Sequence, residues 1–176
     1  MKRYEGGTAI MLRIPEDSCR ELIIPAQTWG TGLDTCKLVE PRDYHLTLQF
    51  IGRDLPPDTI ASVVVAAFIS ADELPRPTLQ FTGVFGIHRT QKGCYLTAQI
   101  RKANPLTDAR ERVRRWLLEM QVKPKDSFGF NPHVTLVEAP PSGVRIPAVP
   151  DPIKPFSVEC RELVVKYGKH QMTVEL

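Results

Sequence analysis

One pattern occurs twice in this 176-residue chain: His45-Leu46-Thr47-Leu48 and His133-Val134-Thr135-Leu136, each His, apolar, Thr, apolar, with the histidines 88 positions apart. Each copy lies in a segment that alternates polar and apolar residues, YHLTLQFI from Tyr44 to Ile51 and FNPHVTLV from Phe130 to Val137, the period-2 signature of a half-buried strand. Successive strand side chains leave on opposite faces, so His and Thr share one face while the two apolar residues anchor the other in a core. Two such strands side by side about a pseudo-twofold axis would enclose a cleft holding two imidazoles and two hydroxyls.

The repeat stands out because histidine is scarce. The chain has four: His45, His88, His133 and His170. With thirteen Thr and 42% hydrophobic residues, a given His starts this pattern roughly one time in eighty, and two of four do so on the order of once in a thousand. His88 sits beside Arg89 in the turn-rich stretch GIHRTQKG and His170 in GKHQ, neither with a comparable partner.

The remaining segments predict an α+β chain. Thr8 to Ile14 is a short apolar strand closed by Pro15, and a helix can begin there. Gln27 to Asp43 collects Gly30, Gly32 and Pro41 and reads as a long irregular loop. Pro56-Pro57 opens a helix carrying Ile60, Val63, Val64, Ala67 and Phe68. Thr78 to Phe85 and Cys94 to Ile100 alternate as the two strands of a hairpin with GIHRTQKG as its loose tip. Asn104-Pro105 starts an amphipathic helix with Leu106, Ala109, Val113, Trp116, Leu117 and Met120 in one stripe and Arg110, Arg112, Arg114 and Arg115 mostly toward solvent. A proline-rich connection from Pro140 to Pro155 precedes two closing strands, VECRELVVKY and QMTVEL. Sixteen prolines fit many short elements separated by rigid turns.

Composition excludes more than it selects. Lys and Arg number 23 against 20 Asp and Glu, a net charge of +3, which permits contact with phosphates but is no DNA-coating surface. Cys19, Cys36, Cys94 and Cys160 lack metal-site spacing and read as free thiols. The start MKRYEGGTAIMLRIP is broken by Arg13 and does not read as a signal peptide. The longest apolar run, Val63 to Ile69, is far short of the ~20 residues of a membrane span. A cytoplasmic chain with no membrane segment is expected.

The H-x-T spacing is not the i, i+4 pair of a helical zinc site, and no carboxylate or Cys cluster accompanies it. G-x-S-x-G, G-x-x-x-x-G-K-[ST] and G-x-G-x-x-G are all absent. Two imidazoles titrating near neutrality can instead divide phosphodiester cleavage. The neutral one takes a proton from the attacking oxygen, the protonated one gives a proton to the leaving oxygen, each worth about 10²- to 10⁴-fold. The Thr hydroxyls would hold the non-bridging phosphate oxygens in line. Neither cofactor nor metal is called for.

At these residues the chain resembles the 2H phosphoesterase family, named for its two H-x-[ST]-x motifs, and within it the RNA 2′,3′-cyclic phosphodiesterases historically called 2′-5′ RNA ligases. The resemblance takes in the strand ending at Ile14-Pro15, PRDYHLTLQFIG from Pro41 to Gly52, the helix after it, the Phe-x-Gly-x-Phe strand near Phe81, the helix from Pro105, and FNPHVTLVEAP from Phe130. It implies one bilobal domain over 1–176, with two pseudo-symmetric antiparallel sheets facing a central cleft. It also implies catalytic His45 and His133, phosphate-binding Thr47 and Thr135, and hydrolysis of a 2′,3′-cyclic phosphate to a 2′-phosphomonoester.

Two departures bear on the substrate. Many RNA-processing members carry Lys where this chain has Gln49, and Arg where it has Glu138. Two fewer cations beside the cleft would weaken binding of a long RNA and would suit cyclic or 2′-5′-linked oligonucleotide signals, which some viral members degrade. Tyr44, Phe130, His88 and Arg89 are candidate substrate contacts, with Trp29 and Tyr95 as further aromatics for base stacking. The expected partner is an RNA end or a small cyclic or 2′-5′ oligonucleotide, met by a monomer without a membrane. A module that binds nucleotides without turning them over is the alternative of another class.

Overall fold

Strand β1 (Gly7–Arg13) buries Ile10 and Leu12 and gives way at Pro15 to a 3₁₀ turn (Glu16–Ser18). A computed structural model of the chain describes residues 6–125, 129–140 and 145–176. The first five residues of the N-terminal stretch and positions 141–144 of the proline-rich connection lie outside the described residues.

Helix α1 (Arg20–Thr31) corrects the long loop expected from Gln27. Leu22, Ala26 and Trp29 are buried at helical spacing, and that burial outweighs the breakers Pro25 and Gly30, since packing of one face decides most helices in proteins. What remains irregular is 32–36, followed by the short β2 (Lys37–Leu38) and a 3₁₀ turn (Pro41–Asp43). β3 (His45–Arg53) and α2 (Pro57–Glu73) follow as expected.

In the hairpin of β4 (Thr78–Thr90) and β5 (Gly93–Ile100), backbone pairing runs from Gly86↔Thr97 to Thr90↔Gly93, so His88 and Arg89 stand on a strand and not in a loose tip. Polar side chains hid this ladder, because backbone pairing at a solvated hairpin end needs no apolar alternation.

Helix α3 (Asn104–Glu119) buries Leu106, Ala109, Val113 and Leu117. Arg112 and Arg115 reach Glu73 of α2, but Arg110 and Arg114 depart from the expected solvated face. The Arg110 guanidinium lies 4.9 Å from the Phe130 ring centroid and its Nε donates to the Leu48 carbonyl at 3.1 Å. Arg114 donates to Gln49 Oε1 at 3.1 Å.

β6 (His133–Ala139), β7 (Phe156–Glu159), β8 (Glu162–Tyr167) and β9 (His170–Glu175) complete the chain. The connection before β7 is pinned to β4, where the Ile153 N–H donates to the Gly83 carbonyl at 2.9 Å. All pairings are antiparallel, in the order β7-β4-β5-β6-β3-β1-β8-β9, with β2 on β6. The two expected sheets are thus the two halves of one nine-stranded sheet, β7-β4-β5-β6 with β2 and β3-β1-β8-β9, meeting at the β6–β3 seam through one residue pair, Leu46↔Val134. α1 packs near β5 and β6, α2 against β8 and β9, and α3 against α2 and β3. The four cysteines are unpaired. Among the described residues no helix is long and apolar enough to cross a membrane.

Candidate active site

The seam joins the two motifs at equivalent positions. Leu46 and Val134 are each the second residue of their motif, and both are fully buried. Antiparallel pairing about that point sets His45 across from Thr135 and Thr47 across from His133. The four polar side chains singled out in the sequence therefore stand on one face of the sheet, each imidazole opposite the other motif's hydroxyl. His45, His133 and Thr135 are half-buried and Thr47 is exposed.

Both motifs also end in the same distortion. Against β1, Met11 pairs with Thr47 and Ile10 with Gln49, leaving Leu48 as an extra residue. Against β5, Thr97 pairs with Thr135 and Leu96 with Val137, leaving Leu136 extra. Each closing leucine is a β-bulge, which shifts the strand's side-chain phase by one. Strict alternation would keep Gln49 on the His45 face and turn Glu138 inward, but the bulges reverse both. Gln49 is 2% exposed, and its Nε2 donates to the carbonyls of Phe50 at 2.9 Å and Lys125 at 3.0 Å. Position 49 is thus a structural tie outside the cleft, a correction to the expectation that it flanks the site. Glu138 does line the cleft.

The two imidazoles are held alike. His45 Nδ1 lies 2.8 Å from the Asp43 carbonyl oxygen and His133 Nδ1 lies 2.8 Å from the Asn131 carbonyl oxygen. A carbonyl only accepts, so each Nδ1 carries the proton and donates it, which leaves Nε2 as the nitrogen able to exchange a proton in the cleft. Burial lowers the His45 pKa below its ordinary 6.5, and the charges of Lys166 and His133 lower it further against opposing contributions from Asp43.

The flanking strands differ between the halves. Arg13 is the β1 partner of His45, and Gln99 is the β5 partner of His133. A cavity of about 420 Å³ opens on the His45 side, lined by His45, Thr135, Arg13, Lys37, Lys166 and Glu138 among others. Sequence reasoning missed Arg13, Lys37 and Lys166. Each is a lone cation in its own strand, and only the pairings β3–β1–β8 and β2–β6 gather them.

The other candidate contacts divide. The His88 ring centroid lies 6.3 Å from that of His133, and its cross-strand partner Tyr95 is half-buried. Arg89 pairs with Cys94, and strand alternation turns it to the opposite face from His88. Tyr44 is 1% exposed and Trp29 2%, so both rings pack in the core, although Tyr44 also borders the cavity beside His45. Phe130 is partly buried beneath Arg110. His170 stacks on Tyr167. Among the described residues no three His, Cys, Asp or Glu side chains are grouped as metal ligands.

No protein-family model matches the sequence, nor does any curated protein. Solved structures do match in shape. The PDE domain of MHV ns2 superposes with a TM-score of 0.66 at 16% identity, over 97% of this chain and 100% of that one. A protein of Thermus thermophilus gives 0.64 at 19% identity, covering 97% and 95%. E. coli LigT complexed with 3′-AMP gives 0.59 at 17% identity, covering 97% and 94%. The class these define is a fold: over 97% of its length the chain has the α+β architecture of the 2H phosphoesterases.

Proposed function

We propose that the protein is a 2H-type phosphodiesterase acting on a phosphodiester that involves a ribose 2′ oxygen, foremost a 2′,3′-cyclic phosphate. The observation that carries this reading is the matched pair of histidines, each with Nδ1 on the carbonyl two residues earlier and each opposite the other motif's threonine. In the reaction, a water oxygen attacks phosphorus as His45 Nε2 takes its proton. The P–O3′ bond breaks as protonated His133 Nε2 gives its proton to O3′, leaving a 2′-phosphomonoester and a 3′-hydroxyl. The low pKa of His45 suits the base, since a base must be neutral to act. Thr47 and Thr135 donate to the non-bridging oxygens, a positioning role.

Glu138 in the cleft and the withdrawal of position 49 favour small substrates, so the same chemistry on cyclic or 2′-5′-linked oligonucleotides is the second reading. Nucleotide ligands suit the fold: LigT structures hold 3′-AMP, ATP and NADP+. The test is a panel of RNA ending in 2′,3′-cyclic phosphate, 2′-5′ oligoadenylate, and cyclic di- and trinucleotides, run in EDTA and read by chromatography. His45→Ala and His133→Ala should each lower kcat by about 10²- to 10⁴-fold. Full activity in both variants overturns the mechanism, metal-dependent activity overturns the metal-free chemistry, and turnover of the oligonucleotides alone selects the second reading. Tight nucleotide binding with no turnover of any member favours the binding module.

A further inference from the structure

The pseudo-twofold makes the two halves of the cleft comparable position by position, and their charges differ. Around His133 the register neighbours are Gln99 on β5 and, beyond Thr135, Thr97 and then Gly86 on β4, with His88 two residues further along β4 and its ring 6.3 Å from that of His133; none of them is a lysine or an arginine. Around His45 the cavity takes in four cations: Arg13, Lys37, Arg42 and Lys166. Two are already engaged, Arg13 with Glu162 at 3.3 Å and Arg42 with Glu40 at 2.6 Å. Three acids, Glu40, Asp43 and Glu138, line the same cavity. Yet among the described residues neither Lys37 nor Lys166 has a carboxylate within ion-pair distance, although Lys37 stands across from Glu138 in the β2–β6 ladder. Lys166 is near enough to His45 for its charge to disfavour the imidazolium.

Two lysines that line one cavity without a carboxylate in ion-pair reach leave positive charge there for an anion to meet, and lysine serves phosphate well as a compact point charge. The scissile phosphate is assigned to the space between the two histidines, one motif threonine on each side. A volume of about 420 Å³ is more than one phosphoryl group fills. We propose that the His45 half of the cleft is a second-phosphate subsite, in which Lys166 and Lys37 receive a phosphate of the substrate other than the one that reacts. This rests on the phosphodiesterase reading and narrows it. The substrate carries at least two phosphates, as in the last two nucleotides of an RNA or an oligonucleotide signal, and it enters in one orientation despite the pseudo-symmetry.

The test is calorimetric binding of adenosine 2′-phosphate and adenosine 2′,5′-bisphosphate to the full chain, alongside kcat/KM for adenosine 2′,3′-cyclic phosphate with and without a 5′-phosphate. The extra phosphate should tighten binding about tenfold, the worth of one charged hydrogen-bonded contact. That ratio should fall toward one in the double variant Lys37→Ala/Lys166→Ala and return in Lys37→Arg/Lys166→Arg. Equal affinity of the two ligands, no binding of the bisphosphate, or a tenfold ratio that survives the double alanine variant overturns the subsite. Absence of turnover of either cyclic phosphate counts against the phosphodiesterase reading instead, and the binding ratio still decides the subsite.

Discussion

An imidazole works as a base only at the nitrogen that lacks a proton, so the backbone carbonyls of Asp43 and Asn131 matter as much as the rings they hold. Each selects the tautomer and aims Nε2 through the backbone. The sign of the pH effect follows. The working form of His45 is neutral, so kcat/KM falls as pH drops through its titration, and burial places that limb below pH 6.5. A pH profile should show the limb there, and Lys166→Ala should move it upward by removing a cation that disfavours the imidazolium. A limb at or above 6.5 in the parent protein argues that His45 is not the base. The His-x-Thr pair and its shared face were readable from alternation alone, whereas the carbonyl two residues back depends on how the chain enters each strand. Tyr44 is the opposite case: it precedes a site residue at the entry to β3, yet its ring is buried in the core.

At the scale of elements, the bulges at Leu48 and Leu136 decide which residues face the cleft. They exchange Gln49 for Glu138, and no sequence period announces them because both bulged residues are ordinary buried leucines. β4 carries another irregularity, between Phe81 and Phe85. There Gly83 has φ +79°, and a Cβ would come within 2.1 Å of the Ile153 carbonyl oxygen. Gly83→Ala meets both a left-handed backbone, costing about 1–2 kcal/mol, and a backbone atom. Chemical denaturation should therefore show a loss of at least ~2 kcal/mol, with the connection ending at Pro155 freed from β4. A loss within 0.5 kcal/mol, about the range of an ordinary surface change, would mean that this contact is not maintained. α1 teaches the converse. Pro25 and the two nearby glycines are real breakers, but Leu22, Ala26 and Trp29 share a buried face, and only the rest of the molecule supplies the surface that buries it.

Across the whole molecule, the two halves of the nine-stranded sheet share one residue pair at the seam. Leu46 is fully buried there, so Leu46→Ala should cost about 2–5 kcal/mol. It should also lower kcat at temperatures where the variant is folded, since the void left by the truncated side chain lies at the seam that joins the two motifs. Stability loss without any change in kcat would show that the seam does not set the alignment of the site. Charge gives a second whole-molecule expectation. With a net +3 and two phosphates engaged, the logarithm of binding should fall with that of salt at a slope of about −1.4. A slope several times steeper would indicate a long RNA track. Strands β3 and β6, helices α2 and α3, the α+β class and the four polar residues of the repeat were legible in the chain alone, because strand alternation and helix periodicity are local consequences of which side chains avoid water. The tertiary structure decided which strands adjoin, where the bulges flip the faces, and how Arg13, Lys37 and Lys166 gather beside His45. Those depend on contacts between residues far apart in the chain, where the same local pattern is compatible with many pairings until packing selects one.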